Sequence, residues 1–261
     1  MQNPLISIII VTYNADKFLE GAIESVISQT YRNLELIVID GGSEDNTLSI
    51  IKKYEKNVAY WISEPDKGLY DAMNKGIKAS KGDYIHFLGA DDRFYQNQTI
   101  EKIVEKIDPS ADLIYGDFIA TYNTFQKIKP AQSLTKLHKE MCFSHQALFT
   151  KSDLQKKYLF DIQYKIAADF HFIYRCFREG YNFQYIPITV ALFNASGISA
   201  KKVVLGYQEV YRIVSQYGID KSLHRFHRFR ILKQTWIVRL QNLLGEKFFE
   251  QLMKWKYHLL H

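Results

Sequence analysis

The chain has 261 residues, 47% hydrophobic and 24% charged, with two cysteines and a net charge of +6. This composition excludes a disordered, fibrous or disulfide-stapled chain and allows one large domain, or a domain with an appendage. The charge is uneven: residues 221–261 hold nine Lys/Arg against two Glu, which is +7 and leaves residues 1–220 at −1. The basic character therefore belongs to the tail and says little about the main body.

Cys142 and Cys176 form no CxxC pattern and fit a reducing compartment. The N-terminus shows no basic segment followed by a small-residue cleavage site, so no signal peptide is expected. No apolar run approaches the roughly 18 residues of a membrane span.

"LISIIIVT" (5–12) is a β-branched, nearly continuous apolar run, the pattern of a strand covered on both faces. In "ADKFLEGAIESVISQ" (15–29), Phe18, Leu19, Ala22, Ile23, Val26 and Ile27 recur at helical spacing. "LELIVID" (34–40) is a second strand. "GGSEDNTLSIIKKYE" then turns at Gly41-Gly42, offers Ser43 or Asp45 as an N-cap and becomes a helix. "VAYWIS" (58–63) reads as a strand, "LYDAMNKGIKAS" (69–80) as a helix and "DYIHFLG" (83–89) as a fourth strand. Further on, 99–107 reads as a helix, 111–122 as a strand and 123–143 as a loop or short hairpin. A helix over 169–180, an extended segment over 182–193 and helices from about 201 complete the chain.

This β-α order predicts an α/β fold with a Rossmann-like, mainly parallel central sheet, helices on both faces and a C-terminal helical extension. In such sheets ligands bind beyond the carboxyl ends of the strands. Polar clusters stand at those ends: Thr12-Tyr13-Asn14, Asp40, Glu64 to Gly68, and Asp91-Asp92.

Each cluster has two readings. Asp91-Asp92 suits a hard divalent cation such as Mg²⁺ or Mn²⁺, or is a solvated turn or N-cap. Asp40 can accept hydrogen bonds from a base or ribose, or can cap the next helix. Lys67 beside Gly68, ahead of a helix, suits phosphate oxygens, or is a surface turn. Asp169 is either a first-turn partner of the helix dipole or a general base facing a pocket. His145 and Gln146 lie between apolar residues, where a lone His is commonly a core residue. GxGxxG and GxxxxGK[ST] are both missing, so neither a dinucleotide fingerprint nor a P-loop is indicated.

Two stretches, "SIIIVTYNADKFLEGAIESVISQTYRNLELIVIDGGSEDNT" and "EPDKGLYDAMNKGIKASKGDYIHFLGADD", resemble glycosyltransferase family 2, which has the GT-A fold and moves a sugar from a nucleotide diphosphate. The wording "DKGLYDAMNKG" is similar to bacterial capsule, O-antigen and colanic-acid transferases. The resemblance spans about residues 4–200 and is specific over the first 95. It implies a GT-A domain over 1–200, with a nucleotide-sugar half (1–95) and an acceptor half (96–200), followed by a basic amphipathic extension over 201–261. It further implies that Thr12, Tyr13, Asn14 and Asp40 bind base and ribose. Lys67, with Gly68, would approach base or phosphate, Asp91 the ribose and Asp92 the Mn²⁺ or Mg²⁺ that bridges the diphosphate. Asp169 matches the family's base in "AADxxF", and His145-Gln146 its "HQ" motif beside donor and acceptor. Gly197 and Ser199 match a closing "GxS" loop. The chain departs from many relatives in having Gly89 where they have Asp, and in lacking a clear counterpart to the metal-site His that some of them carry near the "GxS" loop.

The implied activity is inverting transfer, from a UDP-sugar in preference to a GDP-sugar, to a glycan or lipid-linked acceptor in bacterial surface polysaccharide synthesis. Two rivals remain: an inactive nucleotide-binding partner protein, and a GT-A-like nucleotidyltransferase. The tail places Leu223, Phe226, Phe229, Leu232, Trp236, Leu240 and Leu243 at near-helical spacing among its cations. That pattern suits a membrane surface, packing or self-association, or, less well, nucleic acid, which is not expected as a partner. A peripheral place on the cytoplasmic face of the membrane follows from the first of these.

Overall fold

The computed structural model describes residues 3–122, 125–195, 197 and 202–244. Strand β1 (Ile6–Thr12) is buried along its whole length. Its β-branched side chains feed two layers. Ile6, Ile8 and Ile10 pack with Leu19, Ala22, Ile23 and Val26 of helix α1 (Leu19–Ile27), whereas Ile9 and Val11 pack with Met73 and Ile77 of helix α3 (Leu69–Ala79). Period-two alternation in the strand and the 3.6-residue stripe on each helix fix which residues meet.

β1 is flanked by β2 (Leu34–Asp40) and β4 (Tyr84–Gly89), and β2 by β3 (Tyr60–Ser63), all in parallel. α2 (Thr47–Lys53) links β2 to β3. This half of the sheet is the parallel α/β arrangement expected from the sequence.

Beyond β4 the sheet is mixed. β8 (Leu148–Lys151) runs antiparallel to β4 and to β6 (Leu113–Thr121). β9 (Phe183–Asn194) runs parallel to β6, and the two-residue β5 (Arg93–Phe94) closes antiparallel on β9. β7 (Gln126–Lys129) forms a hairpin with β6, as expected for 123–143. The remaining helices of this half are α4 (Thr99–Val104), α5 (Ser152–Lys157) and α6 (Ala168–Arg178).

The last helices are α7 (Val203–Gln216) and α8 (Lys221–Leu244). α7 is more than an appendage, because Ile213 and Val214 are fully buried in the same core as α3 and α6. α8 docks through His227, whose ring stacks on Tyr211 at 5.5 Å and whose Nε2 lies 3.0 Å from the His138 carbonyl. Arg230 adds a hydrogen bond to the Lys139 carbonyl, 2.8 Å, and an ion pair with Glu140, 3.2 Å. Phe226, Phe229, Leu232, Trp236, Leu240 and Leu243 are all exposed. Most of the apolar face read from the sequence is thus exposed, but Leu223 is half-buried and the Phe226 ring lies 5.6 Å from the Lys139 ammonium of the body. Among the described residues, no helix is long and apolar enough to cross a membrane.

Candidate active site

The parallel registers put the polar clusters on one rim. Thr12 pairs with Asp40 and Asp40 with Ser63, while Val11 pairs with Gly89, two residues before the carboxylate pair.

The first part of the rim is zipped together by its own hydrogen bonds. Asp40, fully buried, accepts from the Gly42 and Ser43 amides (3.2 and 2.9 Å) and from the Ser43 and Ser63 hydroxyls (2.5 and 2.6 Å). Both oxygens serve the chain itself, so what the geometry supports for Asp40 is holding the 41–43 turn. Nor does it cap α2, where the Thr47 amide is taken by Asp45 Oδ1 at 2.9 Å.

Asn14 is the one described non-glycine residue at positive φ, +47°. Its amide donates to Ser43 Oγ (2.8 Å) and its side-chain oxygen accepts from the Glu44 amide (2.9 Å), which locks this strained residue onto the neighbouring loop. Between these ties Tyr13 stands 63% exposed, and Thr12 Oγ1 is buried without a hydrogen-bond partner. Gly41 makes room for the arrangement, since a Cβ there would meet Asp66 Oδ2 at 2.9 Å and the Tyr13 ring at 3.3 Å. Asp66 and Glu64 are held by Lys75 at 2.5 and 2.9 Å. The exposed Lys67 lies next to Gly68, whose φ of +120° opens α3, and its amide donates to Asp71 at 3.0 Å.

The carboxylate pair follows β4. Asp91 is exposed and Asp92 is only 2% exposed. Asn194, the last residue of β9, holds both: its amide donates to Asp92 Oδ1 (2.8 Å) and its side-chain nitrogen to Asp91 Oδ2 (2.9 Å). Burial raises the Asp92 pKa to about 7; the Asn194 amide opposes that shift and the Asp91 charge adds to it. A Cβ at position 89 would collide with Asp92 Oδ2, so the Gly89 departure fits the way Asp92 leans back over the strand end.

His145 and Gln146 lie in a single 3₁₀ turn and bridge two centres. The Ser144 hydroxyl donates to Gln146 Oε1 at 2.6 Å, which leaves the Gln146 amide hydrogens for Asp92, where they oppose its raised pKa. His145 stacks on Phe87 at 5.1 Å. Burial lowers its pKa, and the nearby Asp169 charge works against that shift. Asp169 sits in the first turn of α6, where its Oδ1 accepts from the Phe170 amide (2.8 Å) and lies 3.0 Å from the Tyr70 hydroxyl.

The turn carrying Asp169 is anchored by a residue that sequence reasoning missed. Glu209 of α7, 8% exposed, accepts from the amides of Lys165, Ile166 and Ala167 at 2.8–2.9 Å. Nothing local to 165–169 points to a glutamate forty residues on. Tyr70 and Asn194 were also missed, although Tyr70 lies inside a quoted motif and Asn194 just precedes another. Ser199 lies outside the described residues, and the Gly197 amide donates to the Asn194 carbonyl at 3.4 Å.

The residues present fit a divalent cation. A buried acid whose charge is costly without a counter-ion stands beside a second, solvated acid. Among the described residues there is no cluster of three or more His, Cys, Asp or Glu that could hold a metal.

The chain matches the family model described as glycosyl transferase family 2 over residues 7–182. It belongs to that family. Among curated relatives, a PGL/p-HBAD biosynthesis glycosyltransferase of Mycobacterium bovis is 34% identical over 212 residues, covering 78% of this chain and 82% of the relative. An uncharacterized glycosyltransferase of Mycobacterium tuberculosis is 35% identical over 179 residues, covering 66% and 68%. Solved GT-A structures share the fold. The mannosyltransferase of Pyrobaculum calidifontis in complex with GDP-Man and Mn²⁺ superposes with a TM-score of 0.66 at 17% identity, covering 98% of this chain and 80% of that one. S. aureus TarS 1-349 in complex with UDP gives 0.65 at 18%, covering 83% and 67%. The family 2 membership sets aside the nucleotidyltransferase alternative, and the mixed second half of the sheet is part of the GT-A fold.

Proposed function

We propose that this glycosyltransferase is metal-dependent and inverting, and that it takes a UDP-sugar in preference to a GDP-sugar. Its acceptor would be a glycan or lipid-linked sugar of bacterial surface polysaccharide synthesis. The observation that carries the reading is the pairing of two unlike carboxylate centres, buried Asp92 and helix-start Asp169, through the single turn His145-Gln146.

Asp92 would hold Mn²⁺ or Mg²⁺ and Asp91 beside it would meet the ribose; when bound, the cation supplies a Lewis acid that offsets charge on the departing diphosphate. The chain's own residues do the rest. Thr12, with its unpartnered hydroxyl, and Tyr13, over Gly41, form the wall for the base, while Asp40 and Asn14 keep that wall rigid. Lys67 and the N-terminus of α3 suit phosphate oxygens. Asp169 takes the proton of the acceptor hydroxyl as its oxygen bonds to the anomeric carbon. The bond from that carbon to the diphosphate oxygen breaks on the opposite face, and a single displacement inverts the configuration.

The exposed apolar face of α8 supports a peripheral place on the inner face of an anionic membrane. Cations stand along it, and a groove of about 430 Å³ lined by Lys136, Lys139, Phe226, Phe229 and Lys233, with the Arg230–Glu140 ion pair also in its wall, opens beside it.

The test is a panel of UDP- and GDP-sugars with Mn²⁺, Mg²⁺ or chelator, scored for nucleoside diphosphate release and anomeric configuration. Metal-dependent release from a UDP-sugar, with inversion, is expected. Release that survives chelator, or retention of configuration, would overturn the mechanism.

A further inference from the structure

Tyr70 lies two residues after Gly68 in the donor half of the chain, yet its side chain ends in the acceptor half. Its ring is 5% exposed and packs against Phe160, with centroids 5.5 Å apart. Its hydroxyl lies 2.8 Å from the Ile166 carbonyl oxygen and 3.0 Å from Asp169 Oδ1. A phenol has one proton to give, and here two acceptors lie within reach of it.

The surroundings fix both acceptors. Glu209 holds the Ala167 amide at 2.9 Å, and that amide shares a planar peptide unit with the Ile166 carbonyl, which is thereby anchored. Asp169 is tied to the Phe170 amide in the first turn of α6. Burial, and then the Asp169 charge, push the phenol well above its ordinary range, so Tyr70 keeps its proton throughout.

We infer that Tyr70 is the positioning residue of the base: its hydroxyl proton goes to Asp169 while that carboxylate is ionised, and to the Ile166 carbonyl once Asp169 has taken the acceptor's proton. The acceptor's proton arrives on Asp169 Oδ2, because Oδ1 is the oxygen held by Tyr70 and the Phe170 amide, so Oδ1 becomes a weaker, neutral acceptor and the phenol turns to the Ile166 carbonyl. The phenol neither gains nor loses a proton, and it keeps an acceptor in both states. One side chain thus serves the base before and after transfer. The inference rests on the reading of Asp169 as the base, but the link between the two side chains can be measured without it.

The experiment uses the full chain labelled with ¹³C at the tyrosine ring carbon that bears the hydroxyl. Tyr70 is assigned by the resonance missing in Tyr70→Phe. At about pH 8 the Tyr70 resonance of the wild type stands apart from its position in Asp169→Asn, because a neutral amide replaces the charged acceptor of the phenol proton. A Tyr70 resonance at the same position in both proteins overturns the proposal.

A second readout is the pH profile of diphosphate release. Tyr70→Phe shifts its acidic limb upward by about one pH unit, because the ionised base has lost a donor, and leaves Mn²⁺–UDP affinity within about twofold. An unshifted limb at wild-type rate overturns the proposal. If instead Asp169→Asn retains the wild-type profile, the base assignment itself is lost, while the resonance experiment still reports on the hydrogen bond.

Discussion

Asp92→Asn separates the cost of burying a carboxylate from its use. Asp92 is 2% exposed, and burial raises its pKa from the ordinary 3.8 to about 7. In the cation-free protein the folded chain keeps this proton up to about pH 7, while the unfolded chain releases it near 3.8, so stability falls as pH rises through that window. A rise of about three units corresponds to at most about 4 kcal/mol at and above neutrality. Asn keeps an oxygen for the Asn194 amide and never ionises. Near pH 8 without divalent cations, the variant therefore melts above the wild type by about 2–4 °C for each kcal/mol recovered; near pH 5 the gap narrows by more than half, and it closes only towards pH 3.8. His86 works in the opposite sense. Burial lowers its pKa from 6.5 to about 3, so the stability it contributes is present above 6.5 and is lost as pH falls. The two trends offset each other in the wild type, and the variant should show the acid loss uncovered. The assay is calorimetric melting near pH 5, 6.5 and 8, with and without Mn²⁺ and UDP. A variant no more stable than the wild type near pH 8, or one that still gains stability from Mn²⁺ with UDP, would refute the reasoning.

Asp169→Asn should lower transfer by about 10²–10⁴-fold while leaving UDP affinity unchanged by titration calorimetry; loss of both would make the residue structural. Glu209→Ala removes three amide bonds to a nearly buried carboxylate and should cost about 3 kcal/mol in chemical denaturation, with Glu209→Gln intermediate. Phe229→Glu with Trp236→Glu, both on exposed positions, should abolish flotation with anionic vesicles without changing the melting temperature, and equal partitioning would reject the membrane role.

The first half of the fold was legible because each strand is a saturated apolar run and each helix a single stripe. The β-branched run Ile6 to Thr12 reads as a doubly covered strand, and the rim clusters follow from that topology. The second half was less legible. β8 is four residues, "LFTK", inside a longer apolar segment, and its partners Tyr84 to His86 lie more than sixty residues upstream. Asp40 shows the limit for single residues. Its position at a strand end was readable, but the four donors that converge on it come from the 42–43 turn and from Ser63 on another strand. Likewise the face of α8 was legible as apolar, but not that His227 and Arg230 would dock the opposite side.

The His145-Gln146 turn makes the two centres of the site interdependent, and Gln146→Ala tests the half that faces Asp92. The Gln146 amide hydrogens oppose the raised pKa of Asp92, and the Ser144 hydroxyl keeps the amide in that orientation. Removing them should raise that pKa further. A cation must then displace a more tightly held proton, so Mn²⁺–UDP affinity near pH 7 should fall about three- to tenfold. The loss should shrink as pH rises towards 9, where the carboxylate is ionised in either protein. Asp169 is approached by His145 and not by Gln146, so the acidic limb of the rate profile at saturating donor should stay in place. Affinity measured across pH by calorimetry decides the matter. A loss that is equal at every pH would mean that Gln146 touches the donor itself and that the link to Asp92 is incidental.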